Sequence, residues 1–181
     1  MIEDKLLIWK LKRGSKDALQ RIYEKYREDL LRMAAGLSNE TNAAEDIVHD
    51  VFVAFTRAAR QFQLTGSLRG YLTTCVANKA RNLNKAKSRQ RTVNLDEIEP
   101  MASNLKRPEQ WIIYNEEFRQ LNAAMAQLPY EQKEAVILHI QGRMKFREIA
   151  RLQETSVKTT LSRYRYGLTK LRSILDGEVR K

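Results

Sequence analysis

The densest group of side chains able to do chemistry lies near the C-terminus. Ser156, Lys158, Thr159, Ser162, Arg163, Arg165 and Tyr166 recur along the segment from Ser156 to Leu175. What they offer is hydrogen-bond donation. An Arg fork fits a guanine edge or a phosphate, Ser and Thr hydroxyls donate to phosphates, and a helix N-terminus itself attracts an anion. Val157, Leu161, Tyr164, Leu168 and Leu171 recur at spacings of four, three, four and three, which predicts a buried stripe on the opposite side. Upstream, Phe146, Ile149, Ala150 and Leu152 predict a short buried helix, Gln153-Glu154-Thr155 a turn, and Ser156 an N-cap. The pattern is a helix-turn-helix whose second helix is basic on one side, a shape the DNA major groove admits.

A second group lies in the middle of the chain. Gln61, Gln63, Thr65 and Ser67 alternate with Phe62 and Leu64, next to Arg69 and Tyr71. An exposed polar pocket beside aromatic surface is what capture of a flipped-out base needs. Tyr71, Leu72, Cys75, Val76 and Leu83 then open a helix whose later turns become polar and basic to about Arg91, as suits an element running along phosphates. Glu45, Asp46 and Asp50 partly share one helix face, which reads as a protein-contact surface or plain solvation. No nucleophile set, metal-spaced ligand group or Gly-rich phosphate loop is present, so neither an enzyme nor a cofactor is expected. His49 and His139 are far apart without ligand neighbours, so no metal site is expected. Cys75, the one cysteine, reads as a buried thiol.

These groups need helices to hold them. The 181 residues include only seven Gly and three Pro, which argues against a strand-rich fold. The N-terminal part predicts an amphipathic segment over 3–12, then a helix with Leu19, Ile22, Tyr23, Tyr26, Leu30 and Met33. A third helix carries Ile47, Val48, Val51, Phe52 and Phe55, opened by a capping box of Asn42 and Glu45. Near the C-terminus, Trp111, Phe118, Leu121, Met125 and Leu128 mark another helix. Pro129 starts the next, with Ala135, Val136, Leu138 and Ile140 on its apolar side and Gly142 at its end. Net charge is +11, with seven basic side chains and no acidic one between 61 and 92, and twelve basic against six acidic between 131 and 181. Two basic zones separated by an acidic stretch suggest two contacts with one polyanion. No apolar run suits a signal peptide or a membrane span, so a cytoplasmic chain without membrane insertion is expected.

Taken together, these motifs resemble a group IV (extracytoplasmic-function) bacterial sigma factor over nearly the whole chain. Gly14 to Leu19 with Tyr23 and Tyr26 is similar to the family's opening pattern. Ala44-Glu45-Asp46-Ile47-Val48-His49-Asp50-Val51-Phe52 is similar to its most specific motif. Leu68-Arg69-Gly70-Tyr71-Leu72 with Asn78, Ala80 and Asn82, and then Leu128-Pro129 to Leu138, Glu148-Ile149-Ala150 and Ser162-Arg163, continue the match in order. The resemblance implies an all-α fold of two small helical domains, region 2 over 1–91 and region 4 over 109–181, joined by a flexible linker over 92–108. It implies core RNA polymerase binding through Asp46, His49, Asp50 and Phe52. It implies that Gln63, Leu64, Arg69, Tyr71, Asn78, Arg81 and Asn82 read a −10 promoter element. It implies that Ser156, Lys158, Thr159, Ser162, Arg163, Arg165 and Tyr166 read a −35 element. Any anti-sigma partner would be a separate chain. Departures fall on the reading surface: Leu161 stands where a basic contact is frequent, Thr160 where a core Val is, and Glu154 where the turn has Gly. The rival readings are a stand-alone helix-turn-helix regulator, which predicts tight DNA binding by the free chain, and a sigma-like adaptor, which predicts no promoter-specific initiation.

Overall fold

The computed structural model describes residues 2–38, 43–64, 66–93 and 116–179. Asn42, Trp111, the acidic stretch over 94–108 and the side chain of Phe118 lie outside the described residues. Among those described, the chain is helical throughout, without a strand. The helices are α1 (Ile2–Lys12), α2 (Lys16–Leu37), α3 (Ala43–Ala58), α4 (Leu68–Val93), α5 (Glu116–Ala126), α6 (Tyr130–Ile140), α7 (Phe146–Leu152) and α8 (Val157–Val179).

The N-terminal bundle is built on α2. Ser15 caps it, its hydroxyl accepting from Ala18 N at 3.3 Å. Ile22, Tyr26, Leu30, Met33 and Leu37 of α2 meet Ile47, Val48, Val51 and Phe55 of α3 and Leu68, Leu72 and Val76 of α4 in one core. α1 packs through Leu7, Ile8 and Leu11, while Leu6 and Trp9 face outward. Its Asp4 accepts from Lys25 Nζ at 2.8 Å and Tyr26 Oη at 2.9 Å.

In the C-terminal bundle α8 crosses α6 closely. A Cβ on Gly167 would lie 3.0 Å from Val136 Cγ2. That crossing shifts the buried face of α8 from the expected stripe. Thr160, Gly167 and Leu171 are buried and Tyr164 is half-buried, whereas Val157 and Leu168 are exposed. Small residues let the backbones approach, so the seam follows them rather than the largest apolar side chains. α6 and α5 differ from expectation in the same way. Ile137 is buried where Ile140 was expected, and Leu121 is exposed while Ala124 is buried.

The two bundles pack against each other. Ala135, Ile137, Leu138, Met144 and Ile149 join the N-terminal core. Gly36 of α2 lies under α6, where an added Cβ would sit 2.9 Å from Ile137 Cδ1.

Candidate nucleic-acid interface

The helix-turn-helix forms from local rules. Lys145 N donates to Glu148 Oε2 at 2.7 Å, closing the start of α7. Glu154 takes a left-handed φ of 52°, the conformation that favours Gly in such a turn. Ser156 caps α8, accepting from Thr159 N at 3.0 Å. The Thr160 hydroxyl, at the position of a core Val in the resemblance, donates to Ser156 O at 3.1 Å. Tyr164 joins an aromatic cluster, its ring 5.0 Å from His139 and 5.2 Å from Phe146. His139 is thereby a packing residue whose Nδ1 donates to Met144 O.

The structure leaves Ser156, Lys158, Thr159, Arg165 and Tyr166 exposed, Tyr166 by 67%. Ser162 and Arg163 are half-buried. Arg163 Nη1 donates to Gln153 Oε1 at 2.9 Å. Gln153 Nε2 in turn donates to Glu134 Oε2 and to Glu131 O, each at 2.9 Å.

On α4, Asn78, Asn82, Lys85 and Arg89 are exposed or nearly so at spacings of four, three and four, and form one polar and basic stripe. Lys85 and Arg89 were visible in the sequence only as part of a basic run; the helix phase assigns them to the stripe with the two asparagines. Arg81 points elsewhere. Its Nη2 donates to both Glu134 oxygens at 2.7 and 2.8 Å, and its Nη1 to Leu152 O at 2.7 Å. Ser67 caps α4, accepting from Gly70 N at 3.0 Å. Tyr71 packs with its ring 4.6 Å from Phe62, and Leu64 is half-buried beside them. Gln63 is exposed. Arg69 is paired with Asp29, which also accepts from Arg32. Burial pushes the Asp29 carboxyl up, but the two arginine bonds outweigh it and hold it below its ordinary value. A cleft of about 430 Å³ runs between this loop and the α6–α7 connection, with Lys5, Arg69, Arg143 and Lys145 on its walls.

On α3, Glu45, Asp46, His49 and Asp50 form an exposed, mainly acidic face. Asp50 Oδ2 lies 2.7 Å from Lys79 Nζ, and that bond lowers its pKa. Phe52 is separated from this face. It is 6% exposed, with its ring edge-on to Tyr23 at 4.9 Å.

Two family patterns match the chain in order: Sigma-70 region 2 over residues 22–91, and Sigma-70, region 4 over residues 118–171. The RNA polymerase sigma-H factor of Pseudomonas aeruginosa is 21% identical over 169 residues, covering 89% of this chain and 88% of that protein. Among solved structures, CnrH in complex with the cytosolic domain of CnrY has a TM-score of 0.68 at 21% identity, covering 97% of this chain and 98% of that one. The sigma factor RpoE in complex with the anti-sigma factor NepR from Bartonella quintana has a TM-score of 0.71 at 22% identity, covering 90% and 98%. These two likenesses establish a common fold.

Proposed function

The chain belongs to the sigma-70 family and is an RNA polymerase sigma factor serving promoter recognition, and we propose that its two bundles divide that task. Region 2 over 1–91 takes the −10 element and region 4 over 109–181 takes the −35 element, with 92–108 as the connection. The observation that carries this reading is the pair of exposed basic surfaces, one on each matched region: the α4 stripe and the outer face of α8. Basic side chains of both neutralise phosphates and give salt-dependent affinity. The Asn and Arg side chains discriminate base edges at about 1–3 kcal/mol per good bidentate contact.

Asp46, His49 and Asp50 offer core RNA polymerase a compact polar and acidic face. Phe52 lies apart from that face, and its contact with polymerase would run through the partly exposed Tyr23 ring packed against it. Joining both regions to polymerase keeps them at promoter spacing, so two weak contacts reinforce each other. The polymerase performs the chemistry; this chain is not itself an enzyme and works in the cytoplasm, where the polymerase is. A separate anti-sigma chain is a further proposed partner, since the RpoE of similar fold was captured with one.

The test is transcription in vitro with sigma-free core polymerase and host genomic DNA, mapping transcript 5′ ends. Discrete new starts that share two spaced upstream elements are expected. Binding to core without new starts would sink the reading.

A further inference from the structure

We propose that Glu134 is a shared anchor: it positions Arg163 through Gln153, and through Arg81 it holds the free chain closed with Arg81 withheld from DNA. The withholding half rests on the reading above, that Arg81 touches promoter DNA.

The geometry is one continuous polar chain across the two bundles. Glu134, 1% exposed, accepts from Arg81 through both oxygens and from Gln153 through one. Gln153 then holds Arg163 at the start of the recognition helix. Tyr130 Oη donates to Glu134 Oε1 at 3.3 Å. Arg81 spans 53 residues of sequence to reach Glu134, so region 2 supplies the counter-charge that region 4's buried carboxylate requires. A buried charge that loses its partner is costly, so removing either member of the pair while the other stays disfavours the closed packing of the bundles. On polymerase the bundles part, Arg81 is released to the α4 surface, and Glu134 keeps Gln153. Arg163 is thus held at a fixed position by a side chain in the turn while its remaining N–H groups serve DNA.

Two variants separate the halves. Glu134→Gln keeps an oxygen for the Gln153 amide but removes the charge that Arg81 needs. Gln153→Ala removes the tie to Arg163 but leaves the Arg81–Glu134 pair. The full-length free chain is measured by small-angle X-ray scattering. Its affinity is measured by fluorescence anisotropy with a fluorescein-labelled duplex of the mapped promoter and with a duplex of scrambled −35 sequence. Exposed Glu131→Gln serves as the charge-matched control.

Glu134→Gln should enlarge the radius of gyration and tighten promoter binding at least fivefold relative to Glu131→Gln. Gln153→Ala should leave the radius unchanged and reduce the preference for the promoter over the scrambled duplex at least fivefold. An unchanged radius in Glu134→Gln overturns the latch. If that variant fails to fold by circular dichroism, Arg81→Gln carries the same expectation for the radius and the same power to overturn it. An enlarged radius without tighter DNA binding overturns the withholding and places the fault with the Arg81–DNA contact. Unchanged −35 preference in Gln153→Ala overturns the positioning role.

Discussion

At Arg163 one of five guanidinium N–H groups is committed to Gln153, which fixes the plane in which the others point. Arg163→Ala should reduce transcription from promoters with a matched −35 element about tenfold relative to promoters without one, in keeping with the loss of one good base contact. Holoenzyme formation, measured by native gel, should be unchanged. On the opposite domain Asp50 is exposed on the acidic face of α3, and its Lys79 bond lowers its pKa further below the ordinary carboxylate value. Asp50→Ala should therefore slow core association by roughly threefold to tenfold, as removal of a rim charge does. Surface plasmon resonance on immobilised core checks it, and an unchanged rate refutes the contact. Asp4 has a folding role. Burial pushes its carboxyl up, but the Lys25 and Tyr26 hydrogen bonds outweigh it and lower its pKa. A depressed folded-state pKa contributes stability above the unfolded value, lost as pH falls through the folded one. Asp4→Asn should thus lower Tm at pH 7, with the deficit narrowing below about pH 4.

At the scale of elements, the α6–α8 crossing sets which residues of α8 face outward. Gly167 keeps the two backbones close, since a Cβ there would press on Val136 Cγ2. Gly167→Val should destabilise the chain by about 1–3 kcal/mol in urea unfolding, as overpacking of a well-packed seam does. The cap at the start of α8 acts separately. Ser156→Ala should cost about 1 kcal/mol by the same measurement, because Thr159 N loses its acceptor.

For the whole molecule, closure decides how much basic surface the free chain offers to DNA. The α4 stripe and the outer face of α8 are exposed in the closed chain, while Arg81 lies between the bundles with a 19% exposed side chain. Opening adds phosphate partners, so the slope of log affinity against log salt should steepen by about one per freed arginine in Glu134→Gln. Titrations between about 50 and 200 mM salt check this, and equal slopes count against it.

The sequence by itself determined the helices, their caps, the family motifs and the class of partner. Ser156 is read as a cap from residue type and position. The α3 stripe of Ile47, Val48, Val51 and Phe55 is read from period alone, because each such signal is local to one turn of helix. Glu134 lies early in α6, where a carboxylate suits the helix dipole and its type signals nothing more. Its carboxylate is instead buried against Arg81, and nothing within one turn of either residue signals that pairing. The α8 seam on Thr160 and Gly167 was equally hidden, since periodicity favours the largest apolar side chains. Only the tertiary structure decided these points, because a buried charge finds its partner, and a close crossing its small residues, across helices distant in sequence.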